Sequence, residues 1–238
     1  MHRFFSTISL KEDILSFPSW NELFHQIVHV FRSKKGQKII FFEENWPDIV
    51  YEVEQISKKN ITFKKIEISY CNKDKNRRPD ITLFQSYPNK LSTLELLVQK
   101  IVEIGVQKLV LFPSQYSQMS CIPPHKNQRI LTIAREAMEQ SWDNNLLLIQ
   151  ELSDIKTAKA EYSDLTHIIA SPDGSAVAPD YTQSLWLWIW PEWGWSNEEM
   201  DFFREEDSTL WSFNQNILRL ETAAIVGVGI LTYWNLFS

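Results

Sequence analysis

A polar, charged run, CNKDKNRRPD at 71–80, separates two stretches whose hydrophobic rhythm differs. This break constrains the fold most, because a period of two builds a different architecture from strand–helix alternation. Before it, QKIIFF (37–42), IVYEVEQI (49–56) and ITFKKIEI (61–68) set β-branched and aromatic residues between polar breaks and read as short strands. One helix, roughly 20–32, interrupts them. The pattern predicts a small β-barrel over residues 1–72 and a linker over 73–80.

After the break, strands and helices alternate. ITLFQSY (81–87) reads as a buried strand, and LSTLELLVQKIVEIG (91–105) as an amphipathic helix. Leu94, Leu97, Val98, Ile101 and Ile104 share one face of that helix, and Gly105 stops it. KLVLF (108–112), a helix over 127–141, and strands around 146–150, 166–170 and 185–190 continue the series. The class is α/β, with a parallel sheet in a second domain over 81–238.

Charge divides the same way. Residues 1–80 carry 14 Lys/Arg against 11 Asp/Glu, and residues 81–238 carry 10 against 19. A mildly basic module joined to an acidic one suits a polyanion-binding domain fused to something else. The alternative is uneven surface charge with no partner.

Two cysteines, Cys71 and Cys121, form no CxxC, so neither a disulfide scaffold nor a cysteine zinc module is expected. The opening MHRFF lacks the apolar core of a signal peptide. The apolar tail, Ala223 to Phe237, falls short of the roughly 20 residues a membrane span needs. These features predict a cytoplasmic protein with no membrane partner. His25 and His29 stand four apart without the Glu of HExxH or a third ligand, so no metal is expected. GxSxG, P-loop and GxGxxG motifs are absent, and the chemistries they support lose that support.

Two segments have the form of ligand-site loops. In WIWPEWGWSNEEM (188–200) a strand runs into a turn, and Ser196 with Glu199 forms a capping box that starts a helix. The turn lies at the carboxyl end of a parallel strand, where α/β sheets bind ligands. NQNILRLETAAIVGVGIL (214–231) presents Asn214, then Arg219 and Glu221, then an apolar helix.

ILRLETAA (217–224), PEWGWS (191–196), EAMEQS (136–141) and LELLVQKIVEIGV (94–106) stand in order along the chain. Together they resemble the RsmE family, the 16S ribosomal RNA uridine-N3 methyltransferases. MHRFF and Val30–Arg32 resemble that family's N-terminal module. The resemblance implies a PUA-like RNA-binding barrel in front of a SPOUT domain whose chain forms a trefoil knot over roughly 166–238. It implies a homodimer acting on 16S rRNA of the small ribosomal subunit, with S-adenosylmethionine as cofactor. The implied cofactor contacts are Ile169, Ser171, Trp190, Pro191, Glu192, Trp193, Gly194, Leu210, Asn214, Ile217, Leu218 and Leu220. Arg219 is the candidate catalytic residue, steadying the uridine; tying Glu221 or knot carbonyls is the alternative. Arg3 and Arg32 are candidate RNA phosphate contacts. A silent RNA-binding protein of the same fold, or a methyltransferase for another RNA site, is the competing reading.

The chain departs from the family in one consistent way. Where the family has GPEGG, it has Trp190-Pro191-Glu192-Trp193-Gly194, and where EQSG is usual it has EQS-Trp142. Ten tryptophans and six glycines in 238 residues invert the usual proportion, since glycine ordinarily makes up about 7% of a domain. Trp supplies neither the backbone freedom nor the space that Gly gives a cofactor loop. Either the cofactor site has been lost, or UGA codons that the source reads as glycine are written here as Trp. Tyr116 and Asp143 also replace family arginines expected to face RNA or the active site.

Overall fold

Strands β1 (His2–Phe5), β2 (Ile14–Pro18), β3 (Lys38–Phe42), β4 (Asp48–Ile56) and β5 (Asn60–Ser69) form one sheet, in the order β1-β3-β4-β5-β2. β1 runs parallel to β3, and the other neighbours are antiparallel. With β1 and β2 at its edges, the sheet is a PUA-like half-barrel. Its core gathers Phe4, Phe17, Ile39, Phe41, Tyr51 and Phe63, all buried. β3 is buried on both faces: Phe42 lies on the other side, its ring centroid 3.4 Å from the Arg3 guanidinium carbon.

The computed structural model describes residues 1–44, 46–69, 80–163, 166–176, 184–206 and 208–237, without the side chains of 69 and 234–237. Cys71 and, except for Asp80, the expected linker 73–80 lie outside the described residues. The chain forms two compact units, Met1–Lys73 with Met138–Leu146, and Asp74–Ala137 with Leu147–Ser238.

The helix expected near 20–32 begins at Glu22, because the Asn21 side chain accepts from Leu23 N at 2.8 Å. α1 (Glu22–His25) passes into a π-helical turn over Gln26–Val30, and Arg32 beyond it has a φ of +50°. The His25 and His29 rings are 5.2 Å apart, and no group of three metal-ligating side chains occurs among the described residues.

The second unit carries β6 (Ile81–Ser86), α2 (Leu91–Ile104), β7 (Lys108–Phe112) and most of α3 (Pro124–Ser141). β8 (Leu148–Glu151), α4 (Ile155–Glu161), β9 (Thr166–Ser175) and β10 (Leu185–Ile189) follow, then α5 (Asn197–Glu205), β11 (Thr209–Trp211) and α6 (Leu220–Phe237). Its six strands are all parallel, in the order β11-β9-β10-β6-β7-β8. The apolar face of α2 is buried as its spacing requires, and Gly105 closes the helix at φ +99°. No helix of the described residues is long and apolar enough to cross a membrane.

Tryptophans in β10 build the centre of this sheet. Trp188 stacks on Phe84 with centroids 4.3 Å apart and meets Phe203 edge-on at 5.3 Å. Its Nε1–H donates to His167 Nδ1 at 2.9 Å, so the ring's proton sits on Nε2 and donates to Tyr162 O at 2.8 Å. Burial, reinforced by the Lys159 charge, pushes the His167 pKa down to about 4. The imidazole is a neutral staple between β9 and β10.

Candidate functional site at the carboxyl end of the parallel sheet

The chain enters the second sheet at β6, builds outward through β7 and β8, then returns to the other side for β9, β10 and β11. Ligands of such sheets bind beyond the carboxyl ends of the strands. Three segments meet there: the end of β9, the turn after β10, and the loop from β11 to α6.

β9 pairs with β11 at Ile168 and Ile169, then only at Ser175, opposite Trp211. The intervening residues leave the ladder and form one wall, with Ser171, Pro172 and Asp173 on the cleft. Gly174 lets this detour close. A Cβ there would sit 2.5 Å from Trp211 N and 2.6 Å from the Leu210 carbonyl carbon, both backbone atoms.

The second wall is the turn Pro191–Gly194, closed by Gly194 N donating to Pro191 O at 2.9 Å. Glu192 Oε1 accepts from Asn89 N at 2.7 Å, tying the turn to the segment after β6. Ser196 caps α5 in the expected capping box, with Glu199 N on Ser196 Oγ at 3.1 Å and Ser196 N on Glu199 Oε2 at 2.8 Å. The other Glu199 oxygen accepts from Gln115 N at 2.9 Å, so this buried carboxylate also fixes the loop after β7. Nearby, Ser86, Ser114 and Ser117 hydroxyls lie 2.9 Å from one another. Tyr87 donates to Glu151, which also accepts from Ile122 N at 2.7 Å. Burial and that carboxylate raise the Tyr87 pKa far above its ordinary value, so the phenol stays protonated.

The third wall is the segment 211–218. It and the other two enclose a cleft in two compartments. One, of about 410 Å³, is lined by Ser171, Pro172, Asp173, Trp190, Glu192, Trp193, Gly194, Trp195, Met200, Ile217 and Leu218. The other, of about 130 Å³, is lined by Ser171, Pro172, Trp190, Trp211 and residues 212–218. Trp190 borders both, its ring nearly parallel to Phe213 at 6.5 Å. Ser171, Pro172, Ile217 and Leu218 border both as well. Trp195 lines the larger compartment, and its buried Nε1–H has no protein acceptor among the described residues.

Of the twelve expected cofactor contacts, the structure brings Ser171, Trp190, Glu192, Trp193, Gly194, Asn214, Ile217 and Leu218 to this cleft. Ile169, Pro191 and Leu220 are buried, and Leu210 packs on the core beneath, so these four side chains do not line it. Pro172, Trp195, Met200 and Phe213 line it without having been singled out. Trp195 and Met200 lie inside the 188–200 segment, whereas Pro172 falls within β9 and Phe213 immediately precedes the 214–231 segment. Arg219 is exposed and directly follows Leu218. Its carbonyl accepts from Ala223 N at 2.8 Å at the start of α6, and no ion pair joins it to Glu221 among the described residues.

The expected RNA contacts in the first unit fare differently. Arg32 is exposed. Arg3 is not: its side chain is 2% exposed and ion-paired with Asp48 at 3.1 Å. Its remaining bonds run to Met138 O at 2.6 Å, Asp143 O at 3.1 Å and the Asn144 side chain. This guanidinium is a buried clamp, out of reach of a phosphate. Asp143 is also turned inward: its Oδ1 accepts from Asn144 N and Asn145 N, forming an Asx turn, so it does not face RNA. Tyr116 is exposed on the loop after β7.

The glycine replacements separate by cause. Trp142, just past α3, has a φ of +61°, the left-handed conformation of a helix-ending glycine. Trp190 and Trp193 have ordinary φ. At Trp190 what a glycine would change is space.

The model of the RNA methyltransferase domain matches residues 75–232, two-thirds of the chain. The chain belongs to that family. Within it, the motifs and the curated relatives make it an RsmE-family member. A Bacillus subtilis protein named ribosomal RNA small subunit methyltransferase E is 25% identical over 258 residues, covering 98% of this chain and 96% of its own. A Legionella pneumophila protein, solved with S-adenosylmethionine bound, shares the fold at a TM-score of 0.84, with 21% identity over 98% of this chain and 97% of that one. A Neisseria gonorrhoeae ribosomal RNA small subunit methyltransferase E, bound to the same cofactor, matches at a TM-score of 0.79, with 20% identity and 98% coverage of each chain. The SPOUT α/β fold with a PUA-like N-terminal sheet is thus common to this RsmE-family chain and its relatives.

Proposed function

We propose that this protein transfers the methyl group of S-adenosylmethionine to N3 of a uridine in 16S ribosomal RNA of the small subunit. The observation that carries this reading is the cleft itself, because expected cofactor contacts from three separate segments, Ser171, Trp190 with 192–194, and Asn214 with Ile217 and Leu218, converge on it. Relatives named as small-subunit rRNA methyltransferases, one of them solved with the cofactor, support it.

The chemistry fits the residues. When bound, the cofactor supplies an electrophilic methyl group. Uridine N3 carries a weakly acidic proton and attacks as the anion, so positioning and a positive field supply most of the rate. Arg219, one residue from the cleft wall, brings that charge, and the amino end of α6 adds to it. Trp195 Nε1–H, Ser171 and the faces of Trp193 and Trp195 offer polar and stacking contacts to a nucleoside in the larger compartment.

The protein works in the cytoplasm as a homodimer, in this reading, with residues 1–72 as the RNA-binding module and a trefoil knot over 166–238. Trp190 in the lining of both compartments, where the family has glycine, favours a second reading, a silent RNA-binding protein. Incubating 16S rRNA with protein and labelled S-adenosylmethionine, followed by mass mapping, tests the first. A new methyl on uridine N3 supports it, and RNA that the protein binds but leaves unmodified supports the second.

A further inference from the structure

The first unit carries a groove of about 690 Å³ lined by Ser33, Lys34, Lys35, Glu54, Gln55 and Ile56. Gly36 N donates to Val53 O and Val53 N to Gln37 O, which holds the 33–37 loop against β4. Ser33 is 7% exposed, yet its hydroxyl has no hydrogen-bond partner among the described residues. A buried hydroxyl in a groove wall is costly to leave unmatched. Lys34 and Lys35 are exposed beside it, and exposed Arg32 precedes them. Against these cations the lining holds one carboxylate, Glu54.

A hairpin turn follows Ile56, the last of the lining residues. Exposed Lys58 and Lys59 lie on this turn, and Ser19 N donates to Lys59 O at 2.7 Å. That bond places Trp20, 84% exposed, against the same basic edge.

We propose that this groove holds a phosphodiester of the RNA substrate, with the Ser33 hydroxyl and the Lys34 and Lys35 ammoniums on its oxygens, while Trp20 stacks on an unpaired base of the same strand. An RNA backbone supplies anionic oxygens that accept hydrogen bonds, which the lining offers from Glu54 alone. An aromatic face beside a cationic track is the arrangement that binds single-stranded RNA. The inference rests on the reading of the protein as an RNA methyltransferase.

Binding of a labelled 16S rRNA fragment, followed by fluorescence anisotropy across a salt series, tests it. Lys34→Gln/Lys35→Gln weakens binding and makes the log–log salt slope shallower by about 1.4, the value for two phosphate contacts on a single strand. Ser33→Ala weakens binding without lowering the melting temperature, and Trp20→Ala weakens it with the slope unchanged. A salt slope unaltered in the double lysine variant overturns the groove and leaves methyl transfer standing. Displacement of the RNA by equimolar polyglutamate overturns it in favour of an acidic protein partner. No RNA affinity in the unsubstituted chain overturns the groove and the methyltransferase reading together.

Discussion

Trp188 and His167 form a buried pair in which the indole N–H donates to an imidazole held neutral, at 2.9 Å between Nε1 and Nδ1. Protonating His167 puts a second hydrogen where the indole already donates one. The folded pKa, about 4, lies below the ordinary 6.5, so the unfolded chain binds the extra proton first. Stability is full above pH 6.5 and falls through the window down to pH 4, by on the order of 3 kcal/mol. Urea unfolding at pH 7 and pH 4.5 measures this. A His167→Gln variant loses that part of the pH slope, and an equal slope in both proteins contradicts the assignment.

Arg3 is predicted to matter for folding. Arg3→Ala leaves Asp48 buried without its counter-charge and costs about 3–5 kcal/mol, which denaturant midpoints read directly. Loss of RNA affinity with unchanged stability contradicts the buried clamp.

Trp142 stores strain. A bulky residue in the left-handed region costs about 1–2 kcal/mol, partly offset by glycine's greater freedom in the unfolded chain. Trp142→Gly therefore stabilises the protein by about 1 kcal/mol in thermal unfolding, and a destabilisation contradicts the account. The coding DNA adds a check on the recoding idea: UGA is expected at Trp142, Trp190 and Trp193, and UGG at Trp190 and Trp193 rejects it.

These cases show what sequence carries. α2 was legible because its apolar residues repeat at the helical period, β6 and β7 because short apolar runs read as buried strands, and Ser196 with Glu199 announced the start of α5. β1, β2, α4 and β11 run only 4, 5, 7 and 3 residues, too short for a period to emerge. Arg3 reads as an RNA contact because it stands in MHRFF, which resembles the family's RNA-binding N-terminal module. Its partners Asp48 and Asn144 are 45 and 141 residues away, and nothing local points to them. The cleft was legible through family motifs, Trp195 among them in PEWGWS, whereas Phe213 lies outside every motif and enters it through packing.

The central claim is that this cleft binds S-adenosylmethionine and that the indole of Trp190, where the family has glycine, weakens that binding. Calorimetric titration of S-adenosylmethionine into the unsubstituted chain and into Trp190→Gly tests it most directly. Weak binding to the first and at least tenfold tighter binding to the second, about 1.4 kcal/mol or more, is the predicted result. Micromolar binding by the unsubstituted chain, unimproved in Trp190→Gly, would contradict it.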